Sequence, residues 1–191
     1  MRTLLTTTAL FTLLSGSAVA APERYTFDNA HTDILFFISH FGFSTMQGEF
    51  IEYEGELILD EENPELSSIS VTINTESLDT DHAKRDEHLK SADFFNVTEH
   101  PTITFDSTNV NVIGDNQAEV TGELTILGET RPVTLNVSLN AMGNSPVMPE
   151  VHVVGFDAET TINRLDFGME TFAPAIGEEV EIRISTELHR Q

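Results

Sequence analysis

The sequence predicts an all-β protein, an antiparallel sandwich or closed barrel with one inserted helix. Three observations predict it. Apolar and polar residues alternate through many short stretches. Gly, Asn, Asp and Pro separate those stretches at hairpin spacing, and a single segment has the charge spacing of a helix. A length of 191 residues suits one domain with a full core.

Met1–Ala20 stands apart from this pattern. Arg2, an apolar run through Leu and Ala, and the small residues Ala18-Val19-Ala20 read as a secretory signal peptide cleaved after Ala20. The threonines and the short apolar run argue against a membrane anchor. The expectation is a single domain over 21–191, released into a periplasm. The chain has no cysteine, which excludes thiol catalysis, cysteine metal sites and lipid attachment at the cleavage site. A domain of this size folds on its core without disulfides. The formal net charge of -23 repels nucleic acid and anionic lipid surfaces, so neither is expected as a partner, and no stable membrane insertion is expected.

Taken in order, Tyr25–Phe27 opens a short strand closed by the turn residues Asp28-Asn29. Asp33–Phe43 follows, with Ile34, Phe36 and Ile38 on one face and Leu35 and Phe37 on the other. Two apolar faces predict burial on both sides, by a loop or by a second copy of the chain. Glu49–Asp60 reads as a long strand kinked at Gly55, and Glu61-Glu62-Asn63-Pro64 as a turn. Ser68–Thr75 alternates strictly, with Ile69, Val71 and Ile73 facing a core.

The segment Asp79–Phe95 is the inserted helix. It holds Lys84 and Lys90, the only lysines, beside Arg85. Asp81 with Arg85, and Asp86 with Lys90, are acid-then-base pairs at i, i+4, so self-pairing of these charges is expected ahead of an anion site. Strands resume at Thr102–Asp106, Asn109–Ile113, Gln117–Leu127 and Val133–Leu139. Asn140–Pro149 reads as a loop, and Val151–Ile162 and Val180–Leu188 as the last strands. About eight or nine strands result, and the glycine-bent strand favours a barrel over a sandwich. From alternation alone, a filled barrel is expected ahead of a hollow one.

An ordered set of motifs then resembles the YceI-like family. It comprises Asp28-Asn29-Ala30-His31-Thr32, Ile34-x-Phe36-x-Ile38-x-His40 and Gly48-Glu49-Phe50. Further on come Arg85-Asp86-x-His88-Leu89-x-Ser91-x-Asp93-Phe94-Phe95 and Pro101-x-Ile103-x-Phe105. Gly122-x-Leu124-Thr125-Ile126-x-Gly128, Arg131-Pro132-Val133, Gly155-Phe156, Ile162-Asn163-Arg164-x-Asp166-Phe167-Gly168 and Gly177-x-x-Val180 complete the set. Thr32 stands where the family usually has Ser. The resemblance implies an extended eight-stranded antiparallel lipocalin-like barrel. Its apolar tunnel would hold a polyisoprenoid chain, such as an isoprenoid quinone or polyprenyl lipid, for transport, storage or stress response.

On that reading Phe36, Ile38, Phe50, Val71, Ile73, Phe105, Leu124, Ile126, Leu135, Phe156, Ile162 and Ile182 line the tunnel. Lys84, Arg85 and His88 sit at its mouth, and Leu89, Phe94 and Phe95 form a lid. No cofactor beyond the bound lipid, no metal and no catalytic residue is expected. There is no GxSxG elbow or phosphate loop, and His31, His40, His100, His152 and His189 are scattered along the chain. His82, Asp86 and His88 could share a helical face, which is the basis of an enzyme alternative. A second alternative is a ligand-free scaffold whose acidic surface, for instance Glu119 and Glu123, binds a basic partner. Leu35 and Phe37 are candidates for a homodimer contact.

Overall fold

Residues 21–191 are described by the structure, a computed structural model; the predicted signal peptide lies outside the described residues. The strands are β1 Glu23–His40, β2 Ser44–Phe50, β3 Tyr53–Leu59, β4 Ser68–Asn74, β5 Leu78–Asp79 and β6 Thr102–Gly114. They continue as β7 Gln117–Ile126, β8 Glu129–Asn144, β9 His152–Asn163 and β10 Ile176–Arg190, and the helix α1 spans Ala83–Lys90 between β5 and β6. Neighbours run antiparallel in the order β10-β9-β8-β7-β6-β4-β3-β1, and pairing of β1 with β10 closes a barrel of eight strands.

β1 is the spine of the barrel. Its first residues, Glu23–Thr26, pair with β3, whereas Leu35–His40 pair with β2, and β10 follows it from Tyr25 to His40. At about 3.3 Å per residue its 18 residues contour roughly 60 Å, which makes the barrel elongated. Asp28-Asn29 do not end a strand as expected. They belong to a bulge in which residues 28–31 stand against Glu187 alone, because the ladder resumes at Thr32–Thr186.

Three further boundaries differ from expectation. The long strand expected over Glu49–Asp60 breaks at Ile51-Glu52, where Ile51 N–H turns to Ser77 O, and not at Gly55. Gly55 instead allows close approach, since a Cβ there would stand 3.0 Å from Val71 Cα. Thr102–Asp106 and Asn109–Ile113 are one strand, interrupted only by a register shift at Ser107/Asn109. Half of the predicted 140–149 loop, as far as Asn144, is strand.

Two apolar clusters mark the ends of the interior. Tyr25, Leu57, Leu59, Val154 and Leu188 pack at the end where β1 begins. The Tyr25 hydroxyl donates to Glu61 at 2.7 Å and lies 3.1 Å from His152 Nδ1, which satisfies the polar tip of a fully buried ring. Burial, and then Glu61, hold this phenol well above its ordinary pKa. The larger cluster, around Phe50, Ile103, Phe105, Leu124, Ile126 and Phe167, lies toward α1.

Candidate functional site: an apolar tunnel with a polar mouth

Period-two alternation turns every second side chain of eight strands into one space. That space contains a cavity of about 670 Å³. It is lined by Phe36 and Ile38 of β1, Phe50 of β2, Val71 and Ile73 of β4, Phe105 of β6 and Leu124 and Ile126 of β7. Leu135 of β8, Phe156 and Ile162 of β9 and Ile182 of β10 complete the wall, so each residue assigned to the inward face does line the lumen. Phe36, Ile38, Val71, Ile73, Leu135, Phe156 and Ile182 remain only half-buried although they point inward. They face open lumen rather than one another, which settles against a filled interior.

Two glycines keep this bore open. Phe36 pairs directly with Gly48, and a Cβ at Gly48 would sit far inside contact distance of the Phe36 ring. A Cβ at Gly122 would likewise clash with the ring of Phe105, which reaches it diagonally, since Gly122 pairs with Ser107. Each ring therefore lies flat over a glycine on the wall rather than projecting into the lumen.

The helix end of the tunnel is built by the 79–95 segment. His82 caps α1, its ring nitrogen accepting from Arg85 N–H at 3.3 Å, and the helix stops at Ser91. The helical segment is shorter than expected, because Asp81 adopts positive φ outside it and Phe94 and Phe95 follow in turns. Leu89 and Phe95 pack on the large cluster, Phe94 is buried, and the Phe95 ring meets Phe50 at 5.5 Å. All three line the cavity at this end.

The expected i, i+4 charge pairs do not form. Asp86 Oδ1 accepts from Thr80 N–H at 3.0 Å and also from the Thr80 hydroxyl. Arg85 Nε donates to Thr80 Oγ1 at 2.7 Å, and its Nη2 to the Thr80 carbonyl. Lys90 reaches Glu76 at 3.6 Å. Thr80 is buried with polar backbone to satisfy, and that demand outweighs a solvated pair worth a few tenths of a kcal/mol. Arg85 and His88 do line the mouth, with Lys84 and His82. His82, Asp86 and His88 do not converge, since His88 Nε2 turns to Asp93 at 3.0 Å.

Sequence reasoning missed the far side of the mouth. Phe167, Met169 and Phe172, in the 164–175 connection, line it, and Phe172 lies 6.1 Å from the His88 ring and 6.4 Å from Phe94. Aperiodic loop residues carry no alternation signal. Buried Arg164 holds this loop: its guanidinium donates to the carbonyls of Gly177 (2.7 Å), Thr171 (3.0 Å), Ile176 (3.2 Å) and Met169. Burial lowers its pKa, and backbone carbonyls rather than a carboxylate solvate the charge. Ile34, Ile69, Val120, Val133 and Ile184 also line the cavity and share the alternation that identified their neighbours.

On the outer face, Phe37 lies beneath the Arg183 guanidinium at 4.7 Å, and Leu35 shares a shallow hollow with Ile113. Thr32, at the Ser position of the resembled motif, bonds Thr186 Oγ1 at 2.7 Å through its hydroxyl, a bond Ser also makes. Among the described residues no helix is long and apolar enough to cross a membrane.

The chain is 43% identical over its whole length to a UPF0312 protein of Pectobacterium carotovorum, covering 98% of that relative. Its fold matches the crystal structure of Burkholderia cenocepacia BcnA with a TM-score of 0.77, at 23% identity over 84% of this chain and 98% of that one. A polyisoprenoid binding domain from Saccharophagus degradans matches with a TM-score of 0.64, at 14% identity over 89% of this chain and 99% of that one. Residues 25–188 match the YceI-like domain, and with that full-length relative the match places the chain in the YceI-like family.

Proposed function

We propose that this protein is a periplasmic binding protein that carries a polyisoprenoid chain, either an isoprenoid quinone or a polyprenyl lipid, in its tunnel. One observation carries the reading: a continuous apolar cavity of about 670 Å³ whose charged groups are confined to the mouth. The fold shared with a domain named for polyisoprenoid binding supports it. Burying a prenyl chain contributes about 0.8 kcal/mol per carbon, or about 4 kcal/mol gross per five-carbon unit, without directional contacts. A bilayer offers the same chain a similar gain, so the tunnel competes with lipid rather than with water. Exchange in both directions follows, as a carrier needs.

Lys84 is the cation offered to a polar head at the mouth, because Arg85 is engaged by Thr80, His88 by Asp93 and His82 by the Arg85 N–H. Binding rather than catalysis fits a site where Arg85, His82 and His88 each bond a separate partner and do not converge on one point. Two copies pair through Leu35 and Phe37, a reading favoured by exposed Ile113, which shares with Leu35 a hollow of mixed polar and apolar lining on the outer face.

The test is native mass spectrometry and organic extraction of protein purified from its own host. A co-purifying prenyl lipid is expected; no lipid, together with a collapsed lumen in a crystal, defeats the reading. Light scattering of the Leu35→Lys variant tests the pairing, with a shift from dimer to monomer expected and an unchanged mass opposing it.

A further inference from the structure

The bulge in β1 has a chemistry the tunnel does not use. Glu187 and His189 of β10 alternate with Thr186 and Leu188, which line the lumen, so they stand on the outer side of the β1–β10 seam. The four residues 28–31 loop out over this point, bringing Asp28 and His31 from one end of the sequence to Glu187 and His189 from the other. Asp28 Oδ1 accepts from Ala30 N–H at 3.0 Å, which fixes the carboxylate and leaves Oδ2 facing the imidazoles. His31 Nδ1 lies 2.7 Å from that oxygen, and His189 Nε2 lies 3.4 Å from it. One donor atom each from Asp28, Glu187 and His189 lie within 4.8 Å of one another.

We propose that Asp28, Glu187, His189 and His31 form a binding site for a divalent transition metal of the zinc class. Zinc bonds of about 2.0–2.2 Å in tetrahedral geometry space their donors roughly 3.3–3.6 Å apart. The 3.4 Å between His189 and Asp28 has that spacing and forms no hydrogen bond. Two imidazoles with two carboxylates select zinc, nickel or copper over the oxygen-seeking calcium and magnesium. His31 stands outside that group of three and takes the fourth position by turning its imidazole away from its hydrogen bond to Asp28. The site clamps the bulge to β10 across the seam that closes the barrel. The acidic surface concentrates any divalent cation, so selectivity rather than binding alone decides the question.

The full chain, freed of metal with a chelator, is titrated with Zn²⁺ and separately with Ca²⁺ by calorimetry at physiological salt. One saturable Zn²⁺ per chain, retained against a tenfold excess of Ca²⁺ and accompanied by a higher melting temperature, is expected. Each of His31→Gln and His189→Gln weakens Zn²⁺ binding at least tenfold, and the double variant abolishes it; Co²⁺ then loses its tetrahedral visible absorption. Equal binding of Ca²⁺ and Zn²⁺ by the unaltered chain overturns the proposal without any variant. So does Zn²⁺ binding that survives loss of both histidines in a folded protein, or the absence of saturable binding.

Discussion

Replacing Gly48 with alanine tests whether the tunnel is held open by aromatic rings lying flat on glycine. The new Cβ would meet the Phe36 ring, with Cε1 at 2.7 Å, and Thr80 Cγ2 at 2.8 Å. Both neighbours are side chains. Thr80 is tied by Asp86 and Arg85, so the ring is the part that moves, and the lumen is its only free space. Overpacking of this kind costs about 1–3 kcal/mol, a fall in melting temperature of roughly 3–10 °C for a domain of this size. A ring swung inward displaces about one five-carbon unit of ligand, and affinity for a fluorescent polyprenyl probe falls more than tenfold on a gross loss of about 4 kcal/mol. Adding Phe36→Leu removes the obstruction and restores most of both losses, a coupling a double-mutant cycle reads directly. Unchanged melting and unchanged probe affinity in Gly48→Ala would refute the idea that glycine sets the bore.

Three other outcomes are expected. Alanine at Leu89 or Phe95 increases the rate of probe release severalfold, whereas alanine at Lys84 or Lys90 leaves it within twofold; the opposite ranking in a stopped-flow assay would return the mouth to an anion site. Arg164→Met destabilises by about 3–5 kcal/mol in urea unfolding, because four backbone carbonyls lose a charged donor, and Arg164→Lys fails to rescue since one ammonium cannot reproduce the fork. Burial first, then Asp33, Asp79 and Asp81, raise the Glu49 pKa, so the folded state holds that proton more tightly than the unfolded chain. The associated stability is present below the ordinary Glu range and is lost as pH rises through the raised value. Glu49→Gln therefore raises the melting temperature at about pH 7 and not at about pH 3.5, well below the ordinary Glu pKa; the reverse pattern would sink the assignment.

The strands were legible wherever one face met the lumen and the other met water, because that contrast writes a period of two into the residues. β4 and β7 are the clear cases. Legibility failed where the controlling partner was distant in sequence or was backbone. Asp28-Asn29 has turn composition, and only the ladder with β10 makes it a bulge. Asp86 and Lys90 have helix-pair spacing, yet a buried threonine and Glu76 claim them. The tunnel itself could not be read from alternation, which is the same for a filled and a hollow barrel. What separates the two is how far Phe36 and Phe105 project, and that depends on a glycine on the adjoining strand.

The seam between β1 and β10 also governs how the molecule comes into being. Tyr25 pairs with Arg190, so the barrel cannot close until the last residues of the chain are available. Contacts of such long sequence separation form slowly, since loop-closure entropy must be overcome before they stabilise anything. Until then β1 has only its local partners β2 and β3, and its other edge, Tyr25–His40, is unpaired. Synthesis from the N-terminus makes the first strand wait for the last one, and during that interval the future tunnel wall is an open apolar sheet. A chaperone that shields β1 would raise the folding yield, and a truncation before Ile182 would leave a chain with no lumen to fill.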